Sequence, residues 1–380
     1  MPSIYLDHNA AAPILPAAAD AVREAALRYG ANPESQHEPG RDARRALEAL
    51  RSRTLELLGA GPGDRLVFTS GGTEANNLAL TGLTPPGAAV HLVISPLEHA
   101  SIARTADYYA PHRWQVGRVA VGADGVGAPA ALADALRPET RLASVMLASH
   151  ETGVLQRVAE LAALCRARGV LMHTDAAQVV GKLPVSFRAL GVDALSLAAH
   201  KFHGPLGIGG LLVRAGVELR PALLGGFQQA AARPGTESVA LAAGLVAALE
   251  AFHAEAEARR TRLAALRDEL ERLVLSADGG AVVVGAAAPR VPHTSCLALP
   301  GLDRQALVMA LDLAGVACST GSACASGSSE PSPAALVAGG LPGEQIGGAV
   351  GLGLGAATTA AEVAEGGRRI LNVVNRLRRQ

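Results

Sequence analysis

The stretch Asp193-Ala194-Leu195-Ser196-Leu197-Ala198-Ala199-His200-Lys201-Phe202-His203-Gly204-Pro205 decides how this chain is read. An apolar run ends in a basic pair and then a turn, which predicts a buried strand over 193–198 with Lys201 just past its C-terminal end. Working outward, similar short apolar runs occur at 66–69, 89–95, 141–147, 169–174 and 207–213, with helical patterns between several of them, such as 72–80 and 158–168. Apolar strands alternating with helices imply an α/β fold with a mostly parallel sheet covered on both faces. In such sheets ligands sit beyond the carboxyl ends of the strands, so Lys201 stands where a ligand would be handled.

Two long helices flank this region, at 40–58 and 237–276, and the second becomes strongly charged after Glu250. The change near Phe252 reads as a domain boundary. Beyond it, strands at 282–284 and 294–298 and helices at 304–313 and 359–378 suggest a smaller α+β domain. No repeat or low-complexity linker is evident, and the alanine-rich stretch 128–136 is ordinary helix material.

The 380 residues are 49% apolar and 18% charged, which excludes general disorder and suits a two-domain enzyme. No uninterrupted apolar run reaches the roughly 18 residues of a membrane span, and the first residues carry no secretory pattern. A soluble, cytoplasmic protein with no membrane partner is expected. Basic and acidic residues number 34 each without a basic block, which removes the electrostatic case for nucleic-acid binding. Lys182 and Lys201 are the only lysines among those basic residues. Where cations are otherwise written as arginine, a lysine marks a position needing what arginine cannot do, and only lysine forms a Schiff base. Lys182, in Val179-Val180-Gly181-Lys182-Leu183-Pro184, reads as a structural residue in a turn.

Four cysteines show no metal-ligand spacing, so no metal site is expected. Cys165 and Cys296 read as reduced, buried thiols, and Cys318 as core. Cys324 lies in a Ser/Gly/Ala-rich stretch ending at Pro331, which reads as a mobile loop carrying a nucleophile.

Other candidates accompany Lys201. Ser70-Gly71-Gly72-Thr73-Glu74-Ala75-Asn76-Asn77 follows a strand and opens a helix, a phosphate cradle in kind. His173-Thr174-Asp175-Ala176-Ala177-Gln178 ends another strand. Its carboxylate can hold a protonated pyridine nitrogen or simply cap a helix, and Gln178 is expected on the first turn of that helix, within reach of a ring hydroxyl. His99 can stack on a flat ring. A Schiff-base lysine, a pyridine partner, a phosphate turn and a stacking ring are what a pyridoxal 5′-phosphate enzyme needs.

With these residues in hand, the chain resembles the cysteine desulfurases of the class V aminotransferase group, NifS- and IscS-like proteins, nearly end to end. The resemblance is carried by Tyr5-Leu6-Asp7-His8-Asn9-Ala10, Asn32-Pro33, His37, Gly40-Arg41-Asp42-Ala43-Arg44, Ser70 to Asn77, Glu98-His99, His173 to Gln178, His200-Lys201-Phe202, Gly235-Thr236-Glu237 and Ser322-Ala323-Cys324. It implies a fold-type I enzyme, with a large domain over 14–252 built on a mostly parallel seven-stranded sheet. A smaller α+β domain is formed by 1–13 and 253–380. It also implies that Lys201 holds the cofactor as a Schiff base, Asp175 pairs with the ring nitrogen, and Gln178 and His150 face the ring oxygen. His99 stacks and moves protons, while Gly72, Thr73 and His200 meet the phosphate. Thr236 reaches the phosphate of a second subunit, so a homodimer is expected. Cys324 takes sulfur from L-cysteine as a persulfide, leaving alanine, and passes it to an acceptor protein or small thiol; any iron–sulfur cluster belongs to that partner.

The sequence also departs from the family pattern. Gly351, in Val350-Gly351-Leu352-Gly353-Leu354-Gly355, stands where an arginine usually clamps the substrate carboxylate. Losing a charge-assisted contact of that kind weakens binding by roughly 10- to 150-fold. Arg233 is a candidate replacement. His150 replaces an asparagine, Ala198 a serine, Ala11-Ala12 a threonine pair and Pro234 a serine. These departures keep open a C–S lyase or a biosynthetic enzyme acting on a modified substrate. A degenerate, non-enzymatic sulfur-transfer partner is the other alternative, opposed by the intact Lys201, Asp175 and Gln178.

Overall fold

A computed structural model describes residues 3–85, 89–112, 114–320 and 347–379. Its centre is a seven-stranded sheet of β2 (Arg65–Thr69), β3 (Val90–Ile94), β4 (Trp114–Arg118), β5 (Thr140–Ser144), β6 (Leu171–Asp175), β7 (Ala194–Ala198) and β8 (Gly209–Val213), ordered β2-β8-β7-β6-β5-β3-β4. β8 runs antiparallel to both neighbours and the other pairings are parallel. The six apolar runs read from the sequence all become strands. The seventh, β4, is a half-polar edge strand, Trp-Gln-Val-Gly-Arg, and therefore lacks the apolar signal of its buried neighbours.

Both faces of the sheet are buried, and the two-residue period of a strand divides its side chains between two cores. Leu66 and Phe68, Val93 and Leu212 enter one core, with Leu47 and Leu245. Val67, Leu92 and Ile94, Leu211 and Val213 enter the other, with Ala75 and Leu78 of α3 (Gly72–Gly82). A third core joins Ile4 and Leu6 to Leu270, Leu297, Leu307, Leu352 and Ile370. It lies on a small antiparallel sheet of β9 (Val282–Val283), β10 (Thr294–Ala298) and β12 (Ala349–Gly353), ordered β12-β10-β9. β1 (Ile4–Tyr5) pairs parallel with β11 (Val316–Ala317).

Helix α8 (Val239–Ala277) links these cores, starting at Ser238, whose side chain caps Leu241 N. The helix is interrupted at Glu255, φ −135°. Its apolar half corrects one expectation, since by length and composition it equals a membrane span. Here its side chains Ala242, Leu245, Val246, Ala248, Leu249 and Phe252 are buried within the protein. Glu250, His253 and Glu255 interrupt this stretch and hid it from a search for uninterrupted apolar runs.

A second correction concerns Gln178. No helix follows Asp175; residues 177–182 form turns, in which Val179 N and Val180 N both bond to Ala176 O. The chain cannot continue helically because Gly181 adopts φ +70°. A Cβ at Gly181 would lie 2.3 Å from the Cβ of Phe202, the fully buried residue after Lys201. Gly181→Ala should therefore lower stability by about 2–4 kcal/mol through left-handed strain and overpacking. Urea unfolding would check this; an unchanged midpoint would sink the claim that Phe202 and Gly181 are in obligatory contact.

Candidate active site

The carboxyl ends of β2, β5, β6 and β7 face one cavity of about 340 Å³. Eight residues singled out in the sequence line it. Gly72 and Thr73 come from the start of α3, His99 from the start of α4 (Ala100–Tyr109), and His150 from the loop after β5. Asp175 and Gln178 follow β6, and His200 and Lys201 follow β7. Two are absent from it. Thr236 is exposed and does not line it, and Cys324 lies outside the described residues.

The start of α3 suits an anion. Its N-cap is Gly71, which brings no side chain to the first free N–H groups. A Cβ on Gly72 would come 3.4 Å from Ala198, so small residues on both sides leave the space open. Backbone donors and the helix dipole then face the cavity together.

Asp175 is fixed at both oxygens. Asn76 Nδ2 donates to Oδ2 at 2.7 Å and Ala177 N to Oδ1 at 2.9 Å. Asn76 Nδ2 also donates to Ser101 Oγ at 2.9 Å, and Ser101 Oγ meets His99 Nδ1 at 2.7 Å. Ser101 N donates to the same Nδ1 at 3.1 Å. A nitrogen that accepts a backbone N–H carries no proton, so His99 holds its proton at Nε2. One chain of hydrogen bonds thus sets both the carboxylate and the imidazole. Asn76 and Ser101 were missed by sequence reasoning, although Asn76 stands inside the Gly71-Gly72 stretch and Ser101 two residues after His99.

Lys201 follows β7 through a single 3-10 turn, Ala199–Lys201. Its Nζ donates to Asn9 O at 2.6 Å and Ala10 O at 2.9 Å. Gln178 Nε2 donates to the same Asn9 O at 3.1 Å, while Gln178 Oε1 accepts from Lys182 Nζ at 2.7 Å. Lys182 therefore does more than shape a turn. It is buried directly behind the site.

Burial dominates the electrostatics. It pushes His150 down to about 3, assisted by His99 and Lys201, and His200 down to about 4, assisted by Lys201 and Lys182. The His150 ring meets His99 edge-on at 5.5 Å between centroids. Glu98, buried with Oε1 on Met146 N at 2.7 Å, is driven well above the usual carboxylate range by burial and then by Asp175. Gly351 sits in β12, its backbone paired with Ser319, which lines the cavity. Among the described residues no arginine lines the cavity. Arg233 does not line it but is held by Glu74, which does, with Nε 2.7 Å and Nη2 3.2 Å from that carboxylate.

Comparison with known proteins now has a geometry to attach to. The aminotransferase class-V family matches residues 4–365. The chain belongs to that family. It is 40% identical over 366 residues to a cysteine desulfurase of Cereibacter sphaeroides, covering 96% of this chain and 93% of that protein. It is 37% identical to an IscS-like cysteine desulfurase of Mycobacterium tuberculosis, over 94% and 93% of the two chains. Among solved structures, a NifS-like protein superposes with a TM-score of 0.90 at 28% identity, over 99% of this chain and 100% of that one. The fold is accordingly fold-type I, and the class V aminotransferases that share it are pyridoxal-phosphate enzymes. The cavity fits that cofactor: an amine on Lys201, a doubly held carboxylate on Asp175, an anion cradle at Gly72 and Thr73, and a ring at His99 surround one space.

The histidines make a pH prediction. His8, His173 and His200 are pushed down to about 4 and His150 to about 3, mainly by burial. The unfolded chain binds these protons near pH 6.5, so the stabilising neutral state is fully present above that value. It is lost as pH falls from about 6.5 toward 4. Glu98 acts oppositely, since its raised value favours the fold at low pH. His91, His203 and His293 are lowered as well, and Asp7, Asp193 and Glu237 are raised like Glu98, so seven histidines against four carboxyls predict a net drop in Tm across pH 6.5 to 4; a flat or rising Tm over that window would contradict the buried, neutral assignment.

Proposed function

We infer that this chain is a pyridoxal-phosphate-dependent cysteine desulfurase, which converts L-cysteine to L-alanine. The observation that carries the reading is the meeting of Lys201, the Asn76-held Asp175, the Ser101-held His99 and the α3 N-terminus on one cavity. When bound, the cofactor supplies an electron sink that weakens bonds at the substrate's α and β carbons.

The protein's residues supply the rest. Gly72 and Thr73 hold the phosphate with backbone donors, and His200 stands beside them. Asp175, unable to rotate between Asn76 and Ala177 N, keeps a proton on the ring nitrogen. Lys201 provides the anchoring amine and accepts or returns a proton at Nζ. His99 does so at Nε2, because Ser101 occupies Nδ1. The cavity walls of Met146, Ala148 and Ala198 exclude water.

Cys324 is the proposed sulfur acceptor. Its thiolate takes the sulfur of L-cysteine, a carbon–sulfur bond breaks as a sulfur–sulfur bond forms, and the substrate β-carbon gains a proton. Support comes from the other thiols. Burial pushes Cys165, Cys296 and Cys318 each up to about 12, so none of them is a thiolate near neutral pH. Cys165 and Cys296 are buried as expected, whereas Cys318 is only half-buried.

The same reading includes a cytoplasmic homodimer that hands sulfur to an acceptor protein. The exposed Thr236, beside the exposed Leu223, Leu224 and Phe227, supports a second subunit on that face. We place the large domain at 14–252 and the small one at 1–13 and 253–380, a division supported by the break in α8 at Glu255. A second reading, a C–S lyase or an enzyme of a modified substrate, is favoured by the arginine-free cavity.

Product analysis with L-cysteine and a reductant separates the two readings. The expected result is alanine and sulfide in equal amounts. Lys201→Ala and Cys324→Ala should each lower the rate at least ~100-fold. Cys324→Ala should still bind the cofactor. Pyruvate in place of alanine would overturn desulfuration.

A further inference from the structure

Both lysines of this arginine-rich chain end at the same backbone oxygen network. Lys201 Nζ donates to Asn9 O, and Lys182 reaches that oxygen through Gln178. We propose that Lys182 is a positioning residue, which fixes the Gln178 side-chain amide so that its NH2 end, not its oxygen, is presented to the cavity. This rests on the cofactor reading above.

An ammonium or amine N–H beside Gln178 can be met only by Oε1, and the 2.7 Å contact shows that it is. Nε2 is then turned the other way, where one hydrogen is accepted by Asn9 O at 3.1 Å. The second hydrogen remains for the cavity that Gln178 lines. The site is thereby made a donor to an electron-rich oxygen and would repel a hydrogen-bond donor in its place. Without Lys182, nothing distinguishes the two amide orientations except Asn9 O.

The surroundings explain why this residue is a lysine. Lys182 is buried, and among the described residues no carboxylate pairs with it. It faces Lys201, and its charge is felt by His8 of the N-terminal segment, by His200 and His203 after β7, and by His293 before β10. Burial and Lys201 drive its amine well below the ordinary lysine range. Arginine, branched and always charged, would bury a bulky unpaired guanidinium here, whereas the slim lysine amine fits the space and donates to Gln178 Oε1.

Lys182→Met, Gln178→Met and the double variant test this in the full chain loaded with pyridoxal phosphate. The readouts are the cofactor dissociation constant and the pH midpoint of the visible absorbance of the bound cofactor. Lys182→Met should weaken cofactor binding about three- to tenfold. It should also move the midpoint upward, because a donor to the ring oxygen and a nearby amine are both lost. In the Gln178→Met background the same change should weaken binding no further, because Lys182 acts through that amide. Lys182→Gln, which keeps a donor without the amine, should recover most of the affinity and covers the case that Lys182→Met does not fold. Equal midpoints in wild type and Lys182→Met, or fully additive losses in affinity, would overturn the proposal while leaving the cofactor reading intact. A wild type that never takes up the cofactor would overturn both.

Discussion

The contact on which the site depends is that of Lys201 Nζ with the carbonyls of Asn9 and Ala10. Its two sides belong to different parts of the fold. Lys201 is delivered by β7, at the centre of the large sheet. Asn9 and Ala10 follow β1, whose Ile4 pairs with Val316, and Asp7 bridges to Gly353 in β12. The amine therefore ties the small sheets to the carboxyl edge of the large one. Two further bonds repeat the tie, from Ala12 N to His200 O and from Leu15 N to His203 O. Polar groups buried at such a seam must be paired or cost free energy, so the pairings specify where the N-terminal segment lies.

This seam was the least legible part of the sequence. Tyr5 to Ala10 shows neither periodicity nor a strong strand run, since β1 is two residues long. Its place is fixed by residues more than three hundred positions away. The large sheet was legible because its central strands are apolar on both faces, a local property. β4 escaped because one side of it is solvent. Lys201, Asp175 and the Gly71-Gly72 turn were legible because chemistry of that kind must sit at strand ends. Lys182, Asn76 and Ser101 were not, because their roles consist of bonds to residues 4, 99 and 2 positions distant, and a residue that acts through another carries no pattern of its own.

Charge in the site is arranged by subtraction. Burial holds His150 and His200 neutral, and it drives the Glu98 carboxyl well above the usual range, with Asp175 adding to the shift. Lys182 is pushed toward neutrality by the same cause. What remains to face a bound ring is the Asp175 carboxylate, with Asn76 and Ala177 N directing it. Glu74 also lines the cavity but is paired with Arg233, whereas the Asp175 carboxylate is met by the neutral donors Asn76 and Ala177 N. A second ionised Glu98 would instead share the proton of the ring nitrogen.

The absence of an arginine from the cavity belongs to the same arrangement. A guanidinium at position 351 would introduce a permanent cation close to Ser319, in a cavity already lined by Lys201, Asp175 and Glu74. On the desulfurase reading proposed above, glycine at that position would leave the substrate carboxylate to neutral groups of the cavity wall such as the Asn9 amide or the Ser319 hydroxyl. Neutral hydrogen bonds are roughly half as strong as charge-assisted ones, so ground-state binding of the amino acid is the term that weakens. The hydrogen bonds that orient Lys201, His99 and Asp175 involve none of the replaced positions, although the replaced His150 meets the His99 ring edge-on. A substitution that lowers affinity for free substrate while leaving those contacts whole shifts KM more than kcat. The departures at His150 and Ala198 line the same cavity, while Lys201, His99 and Asp175 keep the bonds that orient them.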